Sequence, residues 1–310
     1  MINFLYCFDE NYNIQAYISI SSLLENVNEK INIFVIHKNP KKFKKYFRKI
    51  KKHKNLNKVV IYKFEKNFNF PALDEAHVSE ATYYRLFISD YIPEQIDHLI
   101  YLDADTVVIN PVLENFKQLK SELLRSKNTV SVKTELDLSD NVSRLDLKNK
   151  KYFNAGVMVI DFKKWINNNL SEKLISKMEQ IYANIFFWDQ DVLNAYFDGD
   201  YIELDEKYNF KIDVDDINQK KCEKSDAKIV HYVGKSKPWT VRGSVKENSI
   251  FYQSTYNRLF FLPYHISNNW KQQAYDDLKT YTKTGVVRNL NNSFGFTVSV
   301  LFFLLKKRAK

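Results

Sequence analysis

Apolar residues in the first hundred positions follow two periods. "INFLYCF" at 2–8, "INIFVIH" at 31–37 and "KVVIYKF" at 58–64 are short, continuous apolar runs bounded by polar turns, which is the pattern of buried strands. Between them, "IQAYISISSLLENV" and "KKFKKYFRKIKKHK" repeat their apolar residues at helical spacing, with Phe43, Tyr46, Phe47 and Ile50 at i, i+3, i+4 and i+7. A third helix is predicted over "SEATYYRLFIS", with Ser79 as its N-cap, before "HLIYLD" supplies a fourth strand. Further on, "NTVSV", "GVMVID" and "AKIVHYVG" read as strands, "FKKWINNNLSEKLISKMEQIYAN" as one long helix, and "WDQDVLNAYF" as the start of a short one. Strands alternating with helices predict an α/β fold around a mostly parallel sheet. The character of the chain changes only near residue 265, giving a domain over 1–265 and a helical C-terminal extension over 266–310.

Composition narrows the function classes. With 310 residues, 45% hydrophobic, the chain can bury one large core. Cys7 and Cys222 are far apart and in no metal-ligand spacing, which excludes a disulfide scaffold and a zinc ribbon. The N-terminus "MINFLYCFDENYN" lacks a basic start and a small-residue cleavage site, so a cytoplasmic location is expected. A formal net charge of +10 calls for an anionic partner: nucleic acid, an anionic bilayer or a phosphorylated substrate. The lysine-rich segment at 41–54 reads first as a solvated helix face, and no nucleic-acid-binding signature accompanies it.

The first chemistry-bearing motif is "YLDADTVVIN" at 101–110. In an extended segment Asp103 and Asp105 share one side while Ala104 points back toward the scaffold. They follow a strand, and ligands of open α/β sheets bind beyond the carboxyl ends of strands. The pair reads either as a polar turn or as hard oxygen ligands for Mg²⁺ or Mn²⁺. "HYVGKSKPW" places His231 at a strand end, Gly234 in a tight turn and Lys237 within reach of phosphate oxygens. An imidazole added to two aspartates favours Mn²⁺ over Mg²⁺, and metal plus lysine would neutralise a departing diphosphate. "NAGVMVID" pairs Asn154 with the small residues Ala155 and Gly156, either as a tight strand entry or as a close approach to a ligand. In "WDQD", Asp189 is either an N-cap or a grip on sugar hydroxyls.

Six ordered motifs together resemble retaining glycosyltransferase family 8, and the bacterial lipopolysaccharide galactosyl- and glucosyltransferases within it. They are "FDENY" at 8–12, "HVSEATYYRL" at 77–86, "YLDADTVV" at 101–108, "FNAGVMVID" at 153–161, "WDQDVLN" at 188–194 and "HYVGKSKPW" at 231–239. The resemblance spans roughly residues 1–265 and implies a Rossmann-like GT-A domain that moves galactose or glucose from a UDP-sugar to a saccharide or glycolipid acceptor. It implies that Asp9, Asn11 and Tyr12 hold the uridine, with Tyr12 stacked on the base. Arg85, Asp103 and Ala104 would meet the donor, while Asp103, Asp105 and His231 would ligate Mn²⁺, with Mg²⁺ as a substitute. Asn154, Ala155, Asp189 and Gln190 would line the sugar pocket, Gly234 and Lys237 would bind the diphosphate, and His77 would face the acceptor side. Gln190, Asp189 and Asp191 are the catalytic candidates; because an amide is a poor nucleophile, same-face attack is favoured over double displacement. Other readings are a protein or soluble saccharide acceptor, or a basic membrane- or nucleic-acid-binding module whose carboxylates are only structural.

The chain ends in "FGFTVSVLFFLLKKRAK", about 294–310, an apolar run followed by a basic terminus. It is shorter than the ~20 residues a bilayer span needs. Peripheral attachment to anionic lipid on the inner face of a bacterial membrane is expected, through Lys306, Lys307, Arg308 and Lys310, the alternative being a docked terminal helix.

Overall fold

The computed structural model describes residues 1–71, 79–136, 139–216, 226–267 and 271–305. They form two compact units, one of residues 1–209 with 227–229, the other of residues 210–226 with 230–310.

In the first unit a seven-stranded sheet has the order β3-β2-β1-β4-β7-β6-β8. The strands are β1 (Asn3–Phe8), β2 (Ile31–His37), β3 (Leu56–Lys63), β4 (His98–Leu102), β6 (Val130–Thr134), β7 (Phe153–Asp161) and β8 (Ile202–Glu203), with a short β5 (Thr106–Val108) after β4. Every residue of β1, β2, β4 and β7 is buried, as expected for strands covered on both faces. β7 alone runs against its neighbours, pairing antiparallel with β4 (Tyr101↔Met158) and β6 (Val130↔Ile160), so the sheet is mixed but mostly parallel. Because of that reversal, the start of β7 and the ends of β1 and β4 meet at one edge, which places Asp9, Asp103 and Asn154 together there. At the opposite edge an amide ladder ties four strands: Asn57 donates to Asn32, Asn32 to Asn3, and Asn3 to the His98 carbonyl.

The helices cover the sheet: α1 (Asn13–Glu25), α2 (Pro40–Ile50), a 3-10 helix (Glu80–Asp90), α3 (Leu113–Arg125), α4 (Ser139–Arg144), α5 (Phe162–Asn167), α6 (Leu170–Gln180) and α7 (Trp188–Phe197). α2 buries Phe43, Tyr46 and Ile50, as its apolar stripe predicts. Ser79 caps the 3-10 helix by accepting from the Ala81 amide. The single long helix expected over 162–184 is instead α5 and α6, broken at Asn169, whose φ of 51° lies in the left-handed region that asparagine tolerates. α1 carries a polar stripe whose purpose only the fold reveals. Ser19 Oγ lies 2.8 Å from Thr106 Oγ1, Ser22 Oγ accepts from the Val108 amide, and Asn26 donates to the Val108 carbonyl. These bonds fix β5, and with it the aspartate turn just before it.

The second unit holds β9 (Phe210–Ile212) paired parallel with β10 (Ile229–Tyr232), then α8 (Val241–Ser244), α9 (Ile250–Phe260), α10 (Lys271–Lys283) and α11 (Ser293–Leu305). α11 packs Phe296 and Val300 against Val241, Ile266 and Ala274. No helix among the described residues is long and apolar enough to cross a membrane.

Candidate active site

The motif at 101–108 leaves the sheet as a turn. The Asp103 amide donates to the Gly156 carbonyl at 2.8 Å, and the Asp103 carbonyl accepts from Thr106 Oγ1 at 2.8 Å. Ala104 is buried while Asp103 and Asp105 are half-buried, but the segment is not extended as the sequence predicted: the Thr106 amide donates to the Asp103 carbonyl at 3.3 Å, and it is this turn that presents the two carboxylates. Tyr101, two residues back on the same face, donates to Asp103 Oδ1 at 2.6 Å.

Arg85 is the hub of this edge. Its Nε lies 2.5 Å from Asp189 Oδ2 and its Nη2 3.3 Å from Asp103 Oδ1. Nη1 donates to the Ala155 carbonyl, and the guanidinium lies 4.3 Å from the Tyr101 ring centroid. Burial works against the cation, but Asp103 and Asp189 outweigh it and raise its pKa. Asp189 is fully buried and accepts from Thr82 Oγ1. Burial pushes its carboxyl up to about 6 against the pull of Arg85 and Thr82. Thr82 and Arg85 are three residues apart on one helix face, so the two reach the same carboxylate.

The Ala155 peptide is held from both sides, since its amide donates to Gln190 Oε1 at 3.0 Å. Gln190 Nε2 in turn donates to the Tyr152 hydroxyl at 3.2 Å. Asn154 Oδ1 accepts from the Gly156 amide and from Asn209 Nδ2, both at 2.9 Å. Asn194 clasps α7 to β7 by accepting from the Phe153 amide and donating to the Phe153 carbonyl.

Asp191, a catalytic candidate, is wholly enclosed by donors. Arg144 grips it with two nitrogens at 2.8 and 3.0 Å, Tyr152 donates at 2.8 Å, and the Phe186 and Phe187 amides donate at 2.7 Å each. That clasp bounds a strained entry to α7, where Trp188 has a φ of 49°. Asp189 is not the N-cap; Phe187 occupies that position without a side-chain bond.

At the end of β1, Asp9 caps the turn Glu10–Tyr12 by accepting from the Asn11 amide at 2.9 Å. Burial raises the Asp9 carboxyl above its usual range, and burial with Asp105, Asp9 and Asp103 nearby raises the Tyr12 hydroxyl. This brings "FDENY" and the aspartate turn into one electrostatic neighbourhood. In the second unit His231 is buried on β10, and Gly234 has a φ of 78°, a conformation that favours glycine. Lys237 is buried and donates to the Tyr232 carbonyl at 2.6 Å. His77 lies outside the described residues. Thr82, Tyr101, Arg144, Tyr152 and Asn194 were absent from the sequence-based site. Thr82 and Tyr101 carried a usable signal, each on the same face as a motif residue.

The fold is of the α/β nucleotide-sugar transferase type. A solved galactosyltransferase, LgtC, in complex with donor and acceptor sugar analogues shares the fold, with a TM-score of 0.65 and 19% identity over 83% of this chain and 96% of that one. The family model for glycosyl transferase family 8 matches residues 3–242, and the chain belongs to that family. Among its relatives, a lipopolysaccharide 1,2-glucosyltransferase of Escherichia coli is 30% identical over 248 residues, 74% of this chain and 71% of that protein. A lipopolysaccharide 1,3-galactosyltransferase of Salmonella typhimurium is 28% identical over 186 residues, 57% of this chain and 54% of that protein.

Proposed function

We propose that the protein transfers a hexose, galactose or glucose, from a UDP-sugar to a hydroxyl of a lipopolysaccharide core or another envelope glycan, with retention of configuration. The observation that carries this reading is the Arg85 clamp: one buried cation ties the Asp-x-Asp turn, Asp189 and the Ala155 peptide into a single rigid edge. The names of the relatives support a hexose donor and a lipopolysaccharide acceptor.

In this reading Asp9 and Asn11 bind the uridine and Tyr12 stacks on its base. Asn154, Ala155, Asp189 and Gln190 orient the sugar. Asp103, Asp105 and His231 would be the ligands of a divalent cation, and a mixed oxygen and nitrogen set suits Mn²⁺, with Mg²⁺ as a substitute. The cation would supply charge neutralisation to the leaving diphosphate, an office shared by Gly234 and Lys237 if the Lys237 ammonium turns from the Tyr232 carbonyl. The Gln190 amide, held by Ala155 and Tyr152, stabilises positive charge developing at the anomeric carbon. The acceptor hydroxyl attacks the same face and passes its proton to the departing diphosphate.

Residues 1–265 would be the catalytic domain and 266–310 an extension that holds the enzyme on the inner face of the membrane. The outward face of α11 supports that attachment, since Phe294 is 81% exposed, Phe302 71% and Leu305 82%. Exposed apolar residues at helical spacing beside a basic terminus suit a bilayer interface. The reading is tested by incubating the protein with UDP-galactose and UDP-glucose in Mn²⁺ and measuring UDP release. One donor should release UDP slowly by hydrolysis, and faster by transfer when lipopolysaccharide core is present; release from neither donor under either condition refutes it.

A further inference from the structure

The basic charge of the chain is concentrated. Between Ile31 and Phe64 lie twelve of its 47 lysines and arginines and none of its 37 acidic residues, so the remainder carries a slight negative excess. The centre of this segment is α2. Phe43, Tyr46 and Ile50 turn inward, and directly opposite them Lys41, Lys45 and Arg48 form a line continued by Lys52 in the turn that follows, with Lys44 beside it. All five are exposed, and none has an ion-pair partner among the described residues. Helical geometry spaces the line over about 16 Å.

Surface helices usually alternate charges at i, i+4, because like charges there repel. α2 instead keeps Lys41 with Lys45 and Lys44 with Arg48, with no acid between. Edge protection explains Lys58 and Lys63 on β3, the outer strand of the sheet, but not a row on the helix. The aromatic residues of α2 are buried or half-buried, so the face has no stacking platform for single-stranded nucleic acid. It is built of lysine with one arginine, giving diffuse point charges rather than planar forks for a structured phosphate.

We propose that the outward face of α2 is an electrostatic docking surface for an anionic lipid bilayer. It contacts headgroups without inserting, because every large apolar side chain of the helix is turned inward or half-covered. Binding is therefore sensitive to salt, which screens exposed charges over about 8 Å at physiological ionic strength, and to lipid charge. The surface is separate from the proposed transfer chemistry.

The test is co-sedimentation of the full chain with vesicles of phosphatidylcholine, with and without phosphatidylglycerol, at low and high salt. Variants carry Lys41, Lys45, Arg48 and Lys52 all changed to Gln, or as a charge-matched control Lys127, Lys148, Lys173 and Lys207 all changed to Gln. Circular dichroism confirms folding, which removal of like-charge repulsion should favour in the α2 variant. Wild type and control should bind anionic vesicles more strongly than neutral ones, with salt removing that difference and leaving only the binding due to α11, while in the α2 variant the preference for anionic vesicles is at least tenfold smaller. The proposal is overturned if the α2 variant binds like the control, if neutral vesicles bind equally, or if the α2 charges affect binding to RNA but not to vesicles.

Discussion

Replacing Arg85 with leucine is expected to lower kcat/KM by about 10³-fold, judged from the loss of a preorganised charge at a reacting centre. It should also cost about 3–5 kcal/mol of stability, because removing one partner of a buried pair leaves the other uncompensated. The uncompensated group is Asp189, which is 1% exposed and among the described residues keeps only Thr82 as a side-chain donor. Arg85→Lys separates the two effects. Its single ammonium restores the charge but cannot reach Asp103, Asp189 and the Ala155 carbonyl together, so stability should recover in part while transfer does not. The same pair sets an acid limb. A carboxyl raised to about 6 is ionised, and so able to pair with Arg85, only above that pH. Transfer should therefore decline as pH falls through about 6 in the wild type. In Asp189→Asn, which has no charge to lose, the slower rate should not change across that window. Chemical denaturation and a pH profile of UDP release read both effects.

Arg144→Leu is expected to act without touching the donor. Asp191 is completely buried and is gripped by Arg144 through two nitrogens, so the loss should again cost about 3–5 kcal/mol. Tyr152 is shared: its hydroxyl donates to Asp191 and accepts from Gln190. Slackening the Asp191 clasp therefore shifts Gln190 and frees the strained entry at Trp188. A displacement near 1 Å costs about 10²-fold in rate, so kcat should fall by that order while UDP affinity stays at the wild-type value. Equal losses in UDP affinity and kcat would place Arg144 in donor binding instead.

The site was most legible where one local rule governed it. The motif at 101–108 marks the half-buried aspartates and the buried alanine between them, although a turn rather than an extended strand sets them apart, and the stripe of α2 gives its buried face. The direction of β7 was not readable, because a run buried on both faces looks the same whichever way it lies. The break at Asn169 escaped because the apolar period continues across it, and only one backbone angle ends the helix. α3 is not among the elements predicted from the sequence, although Leu113, Phe116, Leu119 and Leu123 form its buried face. Arg144 and Tyr152 sit 47 and 39 residues before Asp191, and no short-range pattern links them to it. Ser19, Ser22 and Asn26 illustrate the same limit: polar residues on a buried helix face have a reason only once β5 is seen beside them.

The proposed function stands on a metal-dependent UDP site with Asp103, Asp105 and His231 as the cation's ligands. Titration calorimetry of UDP with and without Mn²⁺ tests it most directly, on wild type, Asp103→Asn and His231→Ala. UDP binding should strengthen markedly with Mn²⁺ in the wild type and lose that increment in both variants. UDP affinity that is the same with and without Mn²⁺ in the wild type would contradict it.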